Sequence, residues 1–156
     1  MATDNKAFLE TGMFPLLEVL NEDNNNNWGK MNAQQMIEHL RDFFMVSTGE
    51  LKFDLAVPEE HLPKYLEFLR SDKPFKENTK APASVLGEEP LSLRFNSLDE
   101  AKKALHLTVK HFFEYFEMNP GAKTLHPAFG NLGFDDWVLL HYKHVTHHLR
   151  QFGLMN

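Results

Sequence analysis

Apolar residues recur at three- and four-residue intervals along most of the chain, the spacing of helices that hide one face. In residues 1–20, Met13, Leu16, Leu17 and Leu20 follow that rhythm, and Pro15 fits only near a helix start. A polar run from Asn21 to Asn27 comes next, in which Asn and Asp bond their own backbone and favour turns. A second helix is predicted from about Ala33 to Val46. Asn32 with Gln35 makes a capping box, Met31 and Met36 stand at staple positions, and Met36, His39, Phe43 and Val46 form the inward stripe. A third opens at Ser97 with Glu100 as its box partner and runs to about Glu117. Its seam is Leu98, Ala101, Leu105, Val109, Phe112 and Phe116. The last spans Trp137 to Phe152, after Gly133 and the dipole-favoured Asp136.

Between the second and third helices the pattern fades. Pro58, Pro63, Pro74, Pro82, Pro90 and Gly87 cut residues 47–96 into short pieces. His61 to Arg70 carries a short helix, and Phe75 to Pro90 reads as an extended loop crossing the others. No segment alternates as a strand would. The economical architecture is all-α: a four-helix bundle in one domain, residues 1–156, with a long connection between helices two and three.

Composition narrows the function classes. Sixteen basic against 22 acidic residues leave a formal charge of −6. Nothing there recruits nucleic acid or an anionic membrane, and no apolar run approaches membrane length. The N-terminus shows no basic-then-apolar signal pattern, so a soluble, cytoplasmic protein is expected. The absence of cysteine removes disulfides, a thiol nucleophile and thiolate ligands, so a metal here would need nitrogen and oxygen donors.

The last helix holds His141, His144, His147 and His148. His144 and His148 lie four apart, hence on one face, and Gln151 follows on the same face. Trp137 and Leu140 share this stripe; Lys143, Thr146 and Arg150 lie away from it. His141 is close to the same face one turn earlier, and His147 points to one side. Two inward imidazoles a turn apart are half of a metal site, and inward histidines can equally be hydrogen-bonded core residues. His39, amid Met, Phe and Val, is a third imidazole that needs a partner, which a backbone carbonyl or a shared metal would each supply. His106 sits on the flank of the third seam and His111 faces away from it. Glu38 points away from His39 and Asp42 flanks its stripe, so no carboxylate stands out as a general base.

Three stretches, WGKMNAQQMIEHL (28–40), HPAFGNL (126–132) and HYKHVTHHLRQFG (141–153), resemble the DinB/YfiT-like superfamily of metalloenzymes. More narrowly they resemble a branch known only as a domain of unknown function. The resemblance implies an up-and-down four-helix bundle and a metal held by His39, His144 and His148, with Gln151 as the amide that commonly follows. It also implies thiol chemistry in some branches and, often, a homodimer. His141 is a reserve ligand, and His126 a residue at the pocket mouth or a turn-stabilising one.

The reading that follows is a metal-dependent enzyme, nickel or zinc being the expected ion. It would act on a small molecule by nucleophilic transfer or hydrolysis, with a low-molecular-weight thiol as one candidate cofactor. The alternatives are a non-catalytic metal- or ligand-binding protein, for instance in a stress response, and a structural bundle whose histidines bond one another.

Overall fold

A computed structural model describes residues 2–24, 26–77 and 91–156. The chain is mostly helical, with one small two-stranded sheet. Helix α1 (Ala2–Ala7) passes through a π-helical turn (Phe8–Gly12) into α2 (Met13–Val19). Pro15 explains the interruption of what the periodicity presents as one helix. A proline has no N–H to return to the preceding turn, and the ladder widens there, with Met13 N–H reaching back to the Phe8 carbonyl. Met13, Leu17 and Leu20 are buried as the spacing requires.

Helix α3 (Ala33–Ser47) starts on the capping box read in the sequence. Gln35 N donates to Asn32 Oδ1 at 2.8 Å, and Asn32 N donates to Gln35 Oε1 at 2.9 Å. Its burial is wider than one stripe. Ile37, Leu40 and Phe44 are also enclosed, because α3 packs its other face along α5 (Leu98–Met118). All six seam residues of α5 are buried, and Ser97 Oγ caps it by accepting from Glu100 N at 3.1 Å. A short 3-10 turn (Glu59–His61) leads into α4 (Leu62–Arg70), where Pro63 sits in the first turn. Most of the extended loop expected between Phe75 and Pro90 lies outside the described residues.

The expectation of no strands is corrected. Thr124–His126 (β1) pairs antiparallel with Gly130–Leu132 (β2), Thr124 opposite Leu132 and His126 opposite Gly130. Strands of three residues are too short to alternate visibly. The hairpin seats on α3 through Thr124 Oγ1, which donates to the Ser47 carbonyl at 2.8 Å.

The final helix, α6 (Phe134–Gln151), is enclosed on several sides: α1, the π-helical turn, α3, α4 and β2 all touch it. That enclosure corrects the placement of Lys143 and Thr146 away from the buried stripe, since both are buried. Lys143 sets its ammonium over the Phe68 ring, 5.0 Å from the centroid, and donates it to the carbonyls of Ser71 and Lys73. Among the described residues no helix is long and apolar enough to cross a membrane.

Candidate metal centre

The stripes of α3 and α6 meet where each carries histidine. His39 Nε2 lies 2.8 Å from His144 Nε2, and His148 Nε2 lies 3.1 Å from the same atom. The ligand-capable nitrogens of the three rings all fall within 4.8 Å of one another. The rings stand nearly perpendicular in pairs, with interplanar angles of 74°, 81° and 73°. The rings thus meet through their Nε2 atoms instead of stacking face to face. Phe43, a turn after His39, sets its ring edge-on to both His39 and His144 and walls that side.

The two spacings to His144 Nε2, 2.8 Å from His39 and 3.1 Å from His148, suit an ion. Three nitrogens held at about 2.0–2.1 Å from one cation stand about 3.3 Å apart in a tetrahedral site and about 3.0 Å apart on one face of an octahedron. His148 is buried, and His39 and His144 are slightly more exposed.

Burial pushes the His39 imidazole down to about 4, with the positive charges of His147 and Arg94 adding to it. His144 and His148 are held well below the ordinary imidazole value, again by burial first and by the neighbouring imidazoles second. All three are therefore neutral at pH 7, the form in which an imidazole binds metal.

Gln151 decides one of the protons. Its amide Nε2 donates to the Trp28 carbonyl at 2.7 Å, so Oε1 is the atom that faces His148 Nδ1, also at 2.7 Å. An amide oxygen only accepts, so the hydrogen belongs to Nδ1 and His148 Nε2 is a bare lone pair. His144 Nε2 touches two partners, yet a neutral ring nitrogen has either one hydrogen or one lone pair in its plane. A hydrogen there can be aimed at one neighbour. A lone pair there opposes that of His148. Whatever tautomers His39 and His144 take, one close contact lacks attraction. A cation accepts three lone pairs together and removes the conflict.

The other histidines lie outside this set. His141 lies one turn before His144 on the same side of the helix but does not join the three: its ring is stacked on Phe44 at 3.8 Å and on Trp137 at 5.3 Å. Its Nε2 is buried without a hydrogen-bond partner. His126 stabilises a turn. Its Nδ1 accepts from Ala128 N at 2.9 Å, its ring stacks on Phe43, and burial pushes it down to about 3. His147 is buried where loop residues Trp28 and Phe75 pack on the last helix, beside His148. His106 stacks on Phe14, and exposed His111 meets Glu50 at 3.1 Å.

Glu38 and Asp42 are both buried, and their partner is Arg94. Arg94 donates to both Asp42 oxygens at 2.6 and 2.8 Å and to Glu38 Oε1 at 3.3 Å. Gln34 donates to Glu38 Oε2 at 2.9 Å. These carboxylates pin residues 94–95 onto the helix that carries His39 and are committed to that task. The sequence did carry a signal for them: two acids four apart on a helix face call for a common cation.

A family model described as "Protein of unknown function (DUF1569)" matches residues 66–155, more than half of the chain. The matched span contains His144, His148 and Gln151, and His39 lies before it. No curated protein and no solved structure matches the chain.

Proposed function

We propose that this chain, which belongs to the DUF1569 family of proteins of unknown function, is a metal-dependent enzyme acting on a small molecule. The observation that carries the reading is the convergence of three neutral Nε2 atoms whose contacts cannot all be hydrogen bonds. Three imidazoles leave at least one position for an exchangeable ligand, the layout of catalytic sites more than structural ones. Likeness of the motifs to the DinB/YfiT-like superfamily supports the same assignment, with α1–α2, α3, α5 and α6 as the four members of a bundle. Nickel and zinc both suit an all-nitrogen set. When bound, such an ion would lower the pKa of a water or small thiol and supply a nucleophile for transfer or hydrolysis at neutral pH. The chain's own part is to bring His39 and His144 together with His148, keep all three rings neutral, and fix His148 through Gln151.

A second reading, a non-catalytic metal or ligand carrier, is favoured by one observation. Glu38 and Asp42, the acids beside His39 on its helix, are taken up by Arg94, so neither is free to serve as a base. Metal analysis of protein purified without a histidine tag tests the centre itself. One divalent ion per chain is expected, and His39→Ala or His144→Ala should lose it; wild-type stoichiometry in both variants refutes the ligand set. Turnover of small thiols with electrophilic substrates by the metal-loaded protein separates the enzyme from the carrier.

A further inference from the structure

The turn at Asn26–Gly29, far from α6 in sequence, closes on the end of that helix. Asn27 N donates to the Gln151 carbonyl at 2.6 Å, and Asn27 Nδ2 donates to the Arg150 carbonyl at 3.2 Å. The Gln151 carbonyl is one of those left open at a helix C-terminus, and the Arg150 carbonyl also accepts from Gly153 N at 3.1 Å. Asn26 Nδ2 holds the turn in shape by donating to the carbonyls of Gly29 and Met31, at 3.0 and 2.7 Å. The Trp28 carbonyl then accepts from Gln151 Nε2. Gly29 makes this approach feasible. Its φ is +83°, and a Cβ at this position would stand 2.6 Å from Gln151 Nε2.

Resting on the metal reading above, we infer that this turn is a positioning device for the centre: the Trp28 carbonyl sets the Gln151 amide, and the amide sets the tautomer of His148. The logic runs one way. A carbonyl oxygen accepts only, so it selects the NH₂ end of the amide and turns Oε1 toward the imidazole. Oε1 in turn selects a hydrogen on Nδ1 and frees the Nε2 lone pair for coordination. Reversing the amide would oppose two oxygens at 2.7 Å and offer an N–H to Nδ1, drawing the lone pair to the wrong nitrogen. Partners of this kind typically change metal affinity on the order of 10- to 100-fold. Gln151 and the turn are thus positioning groups that act through His148, and Gly29 is the residue whose missing side chain lets them meet.

Two measurements test this. Imidazole nitrogen–proton correlation spectra of the metal-free wild type at neutral pH should show the His148 hydrogen on Nδ1; a hydrogen on Nε2 overturns the inference outright. Cobalt(II) titrations, followed by visible absorption, should then separate three variants from the wild type. Gly29→Ala, which displaces the amide, and Gln151→Leu, which removes it, should each weaken cobalt on the order of 10- to 100-fold at unchanged stoichiometry. Gln151→Glu keeps an acceptor for Nδ1 but sets its second oxygen against the Trp28 carbonyl, so it too should bind cobalt more weakly than the wild type, and wild-type affinity there overturns the part given to that carbonyl. Wild-type affinity in both Gly29→Ala and Gln151→Leu overturns the positioning role. Cobalt that fails to bind the wild type, alongside the expected spectra, overturns the metal reading and leaves the tautomer assignment standing.

Discussion

At the scale of single residues, spacing identified what the core contains better than what each group does there. His39, His144 and His148 were legible because 3.6-residue periodicity fixes which side chains share an inward face. His141 lies close to the same face, as its spacing says, but its ring meets Phe44 and Trp137 instead of the other imidazoles, because nearness to a stripe does not say which neighbour a ring meets. Glu38 and Asp42 show the same limit. Arg94, their shared partner, comes from a segment with no periodicity to place it. Arg94→Met tests that partnership. It leaves two buried carboxylates, 2% and 3% exposed, without their cation. The Arg94 side chain is 41% exposed, which discounts the loss to about 2 kcal/mol from the 3–5 kcal/mol typical of a broken buried pair. Urea midpoints should fall accordingly while metal stoichiometry holds; an unchanged midpoint would mean that water replaces the cation at little cost.

At the scale of elements, the chain announced its helix starts and concealed its short pieces. The boxes at Asn32 and Ser97 mark α3 and α5 because capping has fixed offsets in sequence. The β1–β2 hairpin has no such signature, and its role emerges only from contacts. The Pro127 carbonyl accepts from Ala56 N at 2.8 Å, Phe129 lies between His126 and Tyr65, and Leu62 packs over Gly130. The HPAFG stretch is thus a wedge tying α4 and the connection after α3 to the ring wall of the centre. Gly130 has a φ of +82°, and a Cβ there would lie 3.2 Å from Leu62 Cδ1. Gly130→Ala should therefore cost about 1–2 kcal/mol through the left-handed backbone alone. A thermal scan of the metal-free protein should register it as a fall of several degrees; an unchanged Tm would show that the turn can relax.

At the scale of the whole molecule, the buried imidazoles make the metal-free fold sensitive to mild acid. Burial holds His39 down to about 4 and His126 to about 3, with His141 well below its ordinary value. In the unfolded chain each takes up a proton near pH 6.5. Between that value and its folded one, each histidine binds more protons unfolded than folded. Stability is then complete above about pH 6.5 and falls as pH drops, by up to about 1.4 kcal/mol per unit for each group. Three such groups would remove about 4 kcal/mol over one unit, against a typical domain stability of about 5–15 kcal/mol. Ordinary carboxylates titrate near pH 4, so the interval from 6.5 to 5 isolates the histidine contribution. Urea midpoints measured across it should fall steeply. His126→Asn, whose amide oxygen can still accept from Ala128 N, should flatten the slope by about one proton. A bound ion works in the opposite direction, because ligand nitrogens must stay unprotonated: at 100 times its Kd a divalent metal should add about 2.7 kcal/mol. Chelation should accordingly shift acid unfolding toward neutral pH, and a midpoint curve indifferent to both pH and chelator would refute the idea that one cluster of neutral imidazoles serves core and centre alike.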